Sequence, residues 1–426
     1  MTDVGPTNSR SFQLLRRSPI LVGFLVATCG VVALWCWPKE GNDQKLPRTV
    51  TAQEYELACE AYQLKYGRAG DRMDILSWLA EWFLSKNRLS SAVECFAAIP
   101  TSDPKYGRMA RYQQGRTLLG LHQAIKAEQQ LREVIALEEE SATIEPRFLI
   151  DARQRLRHIL EVELRFEERH RLLRGVILRR EEDPFEAVIG CFPSLLRWNG
   201  LDAVRWLEEF RAASDSSPVL EIAMGRYLTG QGKVAQARPI LATVFSDHPA
   251  NLTARSAYIA CLLEAGEFDD AEKLIEESPP RTDDDPWLLL LQRGSHGMRK
   301  RNYREAAESF KQVLLQDETC IEAWQGLAQA ARMLNDKSSQ NQGLKMATWL
   351  ARIQNHLGKT IQDSSNPNSF LDVAELCEEI NLNRARAVMI RCARRLNPTM
   401  DRVRAATERF DRQQSGGDQS LKDDSP

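Results

Sequence analysis

Residue types that commonly carry chemistry are scattered in this sequence. None of the histidines belongs to a His-Glu-x-x-His motif, the pattern that would place two zinc ligands on one helix face. His158 and Glu161 share a helix face, but two potential ligands among many other charges indicate a solvated surface. We therefore predict no metal centre from the six histidines, which are His122, His158, His170, His248, His296 and His356.

A glycine-rich run and an acidic run are two further places where a small ligand could bind. The run Gly-Gln-Gly-Lys at 230–233 lacks the Gly-x-x-x-x-Gly-Lys-Ser/Thr spacing that cradles a phosphate, and its position between two predicted helices indicates a turn. The three aspartates at 283–285 directly precede a predicted helix, where carboxylates cap the helix and stabilise its dipole. No Gly-x-Ser-x-Gly elbow occurs. The sequence thus predicts neither catalytic residues nor a cofactor.

The cysteines are also isolated from one another. No Cys-x-x-Cys pair occurs, so neither a zinc ribbon nor a thioredoxin-type redox motif is indicated. Their apolar helical contexts favour buried free thiols over a disulfide framework. The nine cysteines are Cys29, Cys36, Cys59, Cys95, Cys191, Cys261, Cys320, Cys377 and Cys392.

Opposite charges nearly cancel over the 426 residues. The chain has 57 Lys+Arg against 59 Asp+Glu, a formal net charge of -2, and 43% of its residues are apolar. This balance argues against a polycationic nucleic-acid binder and against an acidic disordered chain. Two basic stretches, 299–304 and 384–412, are interpreted as solvated helix faces. We therefore expect no nucleic-acid partner.

An uncharged apolar run extends from Ile20 to Trp37. At about 1.5 Å per residue, a helix of this run covers roughly 27 Å, close to the thickness of a bilayer's hydrocarbon core. Pro19 suits a helix start and Pro38 a helix stop. We predict one transmembrane helix at 19–38, between a short tail at 1–18 and a polar linker at 39–50. A cleaved signal peptide is the alternative, although no small-x-small cleavage site follows the apolar run.

Basic residues near the predicted span indicate its orientation. The pair Arg16 and Arg17 abuts the amino end of the span, whereas the basic residues on the far side are diluted by Glu40 and Asp43. The counts of lysine and arginine on the two sides are equal, so the position of the arginine pair decides. It favours a cytoplasmic amino terminus, which would place the bulk of the chain outside the cytoplasm.

The chain behind the linker contains an internal repeat. Apolar residues recur at spacings of three and four, which predicts an all-α body. Six alanines stand 35, 76, 34, 34 and 35 residues apart, and the interval of 76 equals two units of 38, so we expect one degenerate copy within it. The alanines are Ala92, Ala127, Ala203, Ala237, Ala271 and Ala306; four residues later stand Phe96, Leu131, Leu207, Leu241, Ile275 and Phe310, and twelve residues earlier the mostly small Ala80, Gly115, Cys191, Gly225, Ile259 and Gly294.

This pattern resembles the tetratricopeptide repeat (TPR), a pair of antiparallel helices that stacks on its neighbours. The resemblance implies an all-α, TPR-like α-solenoid, a right-handed superhelix of about eight or nine units over 51–410. Ala58 and Tyr62 fit a capping half-repeat at its start. We predict a degenerate repeat at about 143–183, an insertion at about 335–342 and a disordered tail at 411–426. One unit that carries the pattern contains Met224, Gly225, Leu228, Ala237, Leu241, Val244 and Pro249.

In the tetratricopeptide family, the first helix of each pair lines a concave groove that receives a segment of another protein. The resemblance therefore implies that function lies on this groove, where polar side chains could contact a peptide backbone and apolar ones could anchor a side chain. The lysine and asparagine pairs of the carboxylate clamp that grips chaperone tails are absent at the matching positions. The predicted partner-binding residues are Gln113, Arg116, Ile222, Arg226, Leu291, Gln292, Ser295, Gln325, Gln329 and Arg332.

We therefore predict a membrane-anchored scaffold that binds other proteins through its groove and is not an enzyme. One alternative is a cell-envelope assembly or secretion factor similar to cytochrome c maturation components. Another is an anchored enzyme with a site between Thr143 and Arg180, where carboxylates could cooperate. Clustered acidic residues in a deep pocket there would favour the enzyme, and a uniform shallow groove would favour the scaffold.

Overall fold

The computed structural model describes residues 46–140, 146–179, 184–195, 201–214 and 216–420, and within these ranges it contains twenty α-helices and no strand. In chain order they are α1 (Ala52–Tyr66), α2 (Arg72–Ser85), α3 (Leu89–Ala97), α4 (Gly107–Gly120), α5 (Ala124–Glu140), α6 (Pro146–Val162), α7 (Phe166–Arg179), α8 (Pro184–Cys191), α9 (Leu201–Ala213) and α10 (Pro218–Gly230). They continue with α11 (Val234–Asp247), α12 (Leu252–Glu264), α13 (Phe268–Glu276), α14 (Trp287–Arg299), α15 (Tyr303–Gln316), α16 (Ile321–Met333), α17 (Lys337–Gln362), α18 (Pro367–Glu379), α19 (Asn383–Leu396) and α20 (Asp401–Ser420).

The chain divides into the units Met1–Pro47 and Arg48–Pro426, and the twenty helices of the described ranges belong to the second unit. The predicted transmembrane helix at 19–38 and the arginine pair beside it lie outside the described residues. None of the helices in the described ranges combines the length and the apolar character that a membrane crossing requires.

Sixteen of the helices form eight pairs that stack in chain order. The pairs are α2/α3, α4/α5, α6/α9, α10/α11, α12/α13, α14/α15, α16/α17 and α18/α19, and the second helix of each pair packs on the first helix of the next. Helix α1 packs on α2, and α20 packs on α18 and α19, so each end of the stack carries one extra helix. The predicted α-solenoid is confirmed.

The repeat pattern explains how closely the paired helices approach. All six repeat alanines are fully buried, at 0% exposure. A Cβ atom placed on Gly225 would lie 2.4 Å from Leu241, and one on Gly294 would lie 2.6 Å from the ring of Phe310. These distances are too short for any side chain, so the small residue of the first helix and the large residue of the second are matched. The interpretation of these positions from the sequence is confirmed.

Phe310 joins two successive pairs. Its ring is 3% exposed, and besides Gly294 on α14 it meets Gly326 on α16, where an added Cβ would lie 2.4 Å from the ring. The backbones of both glycines lie close to the Phe310 ring, so the ring is enclosed between the two helices. One aromatic side chain therefore sets the spacing of α14, α15 and α16.

Tight left-handed turns connect the two helices of several pairs. Gly232 and Gly266 have φ angles of 72° and 78°, which glycine adopts without steric cost. Asn87 and Arg301 take the same conformation, with φ of 56° and 62°, in the turns α2–α3 and α14–α15. The run at 230–233, considered above as a phosphate cradle, is the turn between α10 and α11.

The structure differs from the predicted degenerate repeat at 143–183. Helix α6 is the first helix of a pair whose second helix is α9, and α7 and α8 are inserted between them. Cys191 therefore does not belong to the first helix of this pair, because it lies at the end of α8. The sequence misled because one inserted helix pair has nearly the length of one repeat. We call the segment from Leu164 to Leu195 the insert.

The structure also differs from the sequence predictions at the expected insertion and at the expected tail. The extra residues expected at 335–342 extend a helix, because α17 has 26 residues, against 13 in α16. Asp336 caps its start by accepting a hydrogen bond from the backbone N–H of Ser339 at 3.0 Å. The last helix continues to Ser420, past the predicted start of a disordered tail at 411.

We expect Gly326→Ala to destabilise the fold by about 1–3 kcal/mol, since the added methyl group overpacks the enclosed Phe310 ring. The shift of the urea unfolding midpoint measures this. The control is Gly358→Ala on α17, where an added Cβ meets nothing within 4 Å, and which should gain up to about 1 kcal/mol from helix propensity. Equal stability changes in the two variants would contradict the packing role of Phe310.

Candidate functional site

The insert leaves the repeat stack at Leu164. This residue has a φ of 54°, a left-handed conformation that costs a non-glycine residue about 1 kcal/mol and ends α6. Leu164 is 6% exposed, and its carbonyl accepts a hydrogen bond from the Arg226 guanidinium on α10 at 2.8 Å. The contact between Leu164 and a helix of the next pair holds the turn that redirects the chain.

An ion-pair network fixes the base of the insert. The guanidinium of Arg165 lies 2.6 Å from the Glu128 carboxylate on α5, 2.8 Å from Glu163 and 2.8 Å from Glu168. Arg132 on α5 completes the network by pairing with Glu128 and Glu168, each at 2.7 Å. Partly buried, bidentate pairs of this kind are better positioned than isolated surface pairs. The start of α7 is thus tied to the second pair of the stack.

Helix α7 then contacts the start of α14. The Glu167 carboxylate accepts a hydrogen bond from the backbone N–H of Trp287, the first residue of α14, at 3.2 Å. The rings of His170 and Trp287 meet edge to face, with centroids 6.2 Å apart. The expectation that the aspartates at 283–285 cap this helix is wrong, because Pro286 occupies the N-cap without a side-chain hydrogen bond. A glutamate from the insert performs that task.

Helix α8 and the residues after it dock on the last pairs. Val188, Phe192 and Leu195 are 1%, 0% and 6% exposed, and they share one apolar cluster with side chains of α17, α18 and α19. The Ser194 hydroxyl donates a hydrogen bond to the Asp317 carboxylate, and Gln354 on α17 donates to the Leu195 carbonyl at 3.2 Å. The insert therefore connects the third pair of the stack to the eighth.

A cavity of about 710 Å³ lies beside the insert. The insert and its base form one side with Glu163, Glu167 and His170, and helix α10 contributes Ile222 and Arg226. The amino-terminal ends of α12 and α14, with the loop before α14, form the remaining side. The cavity thus lies where the first helices of successive pairs face the insert.

Four side chains that line this cavity carry a buried polar atom without a hydrogen-bond partner among the described residues: Glu163 Oε1, His170 Nδ1, Trp287 Nε1 and Asp285 Oδ2. Of these, Asp285 Oδ2 is ion-paired with Arg293 at 2.8 Å. Unpartnered buried polar atoms cost about 1–3 kcal/mol each. Glu163 is 2% exposed, and this burial raises the pKa of its carboxyl to about 7. Burial lowers the pKa of His170. The cavity wall therefore offers donors and acceptors that the chain itself leaves unused.

The structure separates the predicted partner-binding residues into four groups. Ile222 and Arg226 line the cavity, although Ile222 is also 4% exposed and part of an apolar cluster. Gln292 is buried and donates a hydrogen bond to the Ser256 carbonyl at 2.8 Å, a contact between α14 and α12. Gln113 and Leu291 are half-buried, and the exposed remainder comprises Arg116, Ser295, Gln325, Gln329 and Arg332.

Most cavity residues were not singled out from the sequence. Glu163, His170 and Trp287 meet only because the insert crosses the stack, and their separations along the chain carry no local signal. The available signal lay in α8 and the residues after it, where Val188, Phe192 and Leu195 are spaced by four and three residues, an apolar pattern that the repeat does not require.

Several basic residues of the two basic stretches form ion pairs with neighbouring helices. Arg402 pairs with Asp372 at 2.7 Å and with Glu375 at 2.9 Å, and Arg409 pairs with Glu378 at 2.8 Å. In the first stretch, Arg299 pairs with Glu272 at 3.1 Å, as Lys300 does. These contacts tie each stretch to a neighbouring helix. They support the interpretation of the stretches as helix surfaces over that of a free cationic patch.

A family model matches part of the chain. Residues 228–293, from the end of α10 into α14, match the model described as "Tetratricopeptide repeat". This part of the chain is therefore similar to tetratricopeptide repeats. Helix pairs stack in the same order on both sides of the matched residues. No curated protein matches the sequence.

Several solved structures are similar to the chain at low identity. A tetratricopeptide repeat protein from Parabacteroides merdae is 14% identical, and the match covers 61% of this chain and 99% of that chain with a TM-score of 0.30. The human IFIT1 dimer with m7Gppp-AAAA is 12% identical, with coverage of 85% and 95% and a TM-score of 0.35. The P58(IPK) TPR domain is 14% identical, with coverage of 82% and 99% and a TM-score of 0.26. At such TM-scores the likenesses carry no argument about function.

Glu163 gives the cavity region a defined pH dependence. Its folded-state pKa of about 7 lies above the ordinary value of 4.5, so the folded protein binds more protons than the unfolded chain between these values. The free energy of unfolding therefore falls as the pH rises through this window. We expect Glu163→Gln to gain stability relative to the wild type between pH 5 and 8, by at most about 3 kcal/mol.

Thermal unfolding of both proteins across this pH range measures the difference. Glu60→Gln on the exposed face of α1 is the control and should leave the pH profile unchanged. If Glu163→Gln instead lost stability relative to the wild type as the pH rose, the ion pair with Arg165 would outweigh the burial of the carboxylate.

Proposed function

We propose that this protein is a non-catalytic scaffold that binds a segment of another protein in the cavity between the insert and helices α10, α12 and α14. The observation that carries the proposal is the pair of unpartnered polar atoms on His170 and Trp287 beside that cavity. A polypeptide segment brings both carbonyl acceptors and amide donors, so its main chain can satisfy such a set. Ile222 and Leu288 add apolar surface for a side chain.

The carboxylates near the cavity favour binding over acid–base catalysis. Glu167 is held by the backbone of Trp287, and Glu168 is held by Arg165 and Arg132. Glu163 has the raised pKa of a general acid, but its side chain is fully enclosed and paired with Arg165. A general acid or base must reach the substrate. These three carboxylates serve the docking of the insert instead.

Photo-crosslinking in intact cells tests where a partner binds. We expect a photoreactive amino acid in place of Leu315, which is 82% exposed and lines the cavity, to form covalent adducts with a partner protein. Leu344, which is 52% exposed and does not line the cavity, is the matched control and should yield none. Equal adducts from both positions, or adducts from Leu344 alone, would place the binding surface elsewhere.

We further propose that the apolar run Ile20 to Trp37 anchors the scaffold in a membrane, with the repeats outside the cytoplasm. The support is the length of the run, its lack of charge and the arginine pair before it. Confinement to a membrane raises the effective concentration of partners held at the same surface, so a modest affinity in the cavity suffices.

Membrane fractionation tests the anchor. The full chain should remain in the membrane pellet after an alkaline carbonate wash, because a spanning helix is not released by breaking ionic contacts. A chain that begins at Leu46 should appear in the supernatant. Release of the full chain by carbonate would rule out the anchor. A protease added outside intact cells tests the topology. Repeats that are degraded only after the cells are ruptured would reverse the proposed orientation.

A further inference from the structure

Three cysteines from three helices meet where the insert docks. Cys191 ends α8, Cys377 lies on α18 and Cys392 lies on α19. Cys191 packs against the apolar cluster that contains the other two, and α8 itself packs on α19. The insert and the last repeat pair therefore each bring a thiol to the same cluster.

The three thiols differ in access. Cys377 and Cys392 are 0% and 4% exposed, whereas Cys191 is half-buried. Cys191 and Cys377 are free thiols in the structure. Because Cys191 is the least buried of the three residues, a small oxidant from solution reaches it before Cys377 or Cys392.

We propose that oxidation joins Cys191 to a cysteine of the last repeat pair, Cys377 or Cys392, and so fixes the insert covalently on the stack. The bond would connect residues far apart in the chain, across the contact between α8 and the α18/α19 pair. Because the insert also forms one side of the cavity, the bond would hold that wall in place. The proposal does not depend on what binds in the cavity.

The oxidant is a small disulfide, such as glutathione disulfide. The Cys191 thiolate attacks one of its sulfurs, which forms a mixed disulfide and releases one glutathione thiolate. The thiolate of Cys377 or Cys392 then attacks the Cys191 sulfur, forms the protein disulfide and releases the second glutathione. Two protein thiols lose two protons and two electrons, and one glutathione disulfide is reduced to two glutathiones.

The surroundings of the thiols make the reaction slow at neutral pH. Burial raises the pKa of Cys191, and the neighbouring Cys377 and Cys392 raise it further, while Arg384 and Arg391 oppose the shift. Burial also raises the pKa of Cys377 to about 12. Since the thiolate is the nucleophile, the rate should increase with pH.

The test uses the full chain, fully reduced and then incubated with glutathione disulfide under native conditions. After alkylation of the remaining thiols, the intact mass should show two alkyl groups fewer than in the alkylated reduced protein. Peptide mapping should recover a disulfide-linked peptide that contains Cys191. Cys191→Ala should abolish that linked peptide. Cys261→Ala, which removes a buried cysteine of α12 outside this cluster, should retain it.

Single Cys377→Ala and Cys392→Ala variants identify the second partner, because one of them should abolish the linked peptide. The oxidised wild type should also unfold at a higher Tm than the reduced wild type, with no such difference in Cys191→Ala. Two results would overturn the proposal. One is the absence of any disulfide that contains Cys191, and the other is a Cys191→Ala variant that loses as many free thiols on oxidation as the wild type.

Discussion

Close approach of paired helices is the constraint on which the rest of this structure depends. A helix pair of this size cannot bury its apolar stripe alone, so each pair must stack on its neighbours. The approach is possible because a glycine or another small residue of the first helix faces a large side chain of the second, as Gly225 faces Leu241. Phe310 extends this match to the following pair through Gly326. Helix spacing throughout the stack is thus decided by a few residues per repeat.

The insert uses the surface that such stacking creates. Helix pairs that stack in one order leave their first helices side by side, and the insert contacts α10 and α14 along this row through Arg226 and Trp287. Helix α8 and the residues after it then add Val188, Phe192 and Leu195 to the core of the last pairs. The third and eighth pairs are therefore linked directly, in addition to the contacts that run from pair to pair. The cavity lies between the insert and this row of first helices.

Features that depend on residues at fixed local spacing could be predicted from the sequence, and features that depend on contacts between distant residues could not. The repeat alanines, the facing glycines and the capping helix at Ala58 and Tyr62 follow from residues at fixed separations, and the structure contains each of them. The insert escaped because its length imitates a repeat, and because its docking joins residues such as Leu195 and Gln354 that lie 159 positions apart. Of the predicted groove residues, Ile222 and Arg226 line the cavity. The remainder of the cavity wall comes from the insert, which no periodic pattern reveals.

Hydrogen–deuterium exchange of the Phe192→Ala variant tests the central claim most directly. Phe192 is fully buried where the insert meets the last pairs, and removing such a ring costs about 3–5 kcal/mol. Docking of the insert predicts faster amide exchange in α8 and also in α17, α18 and α19, with no change in α2 to α5. Faster exchange confined to α8, with the last pairs unaffected, would contradict the account.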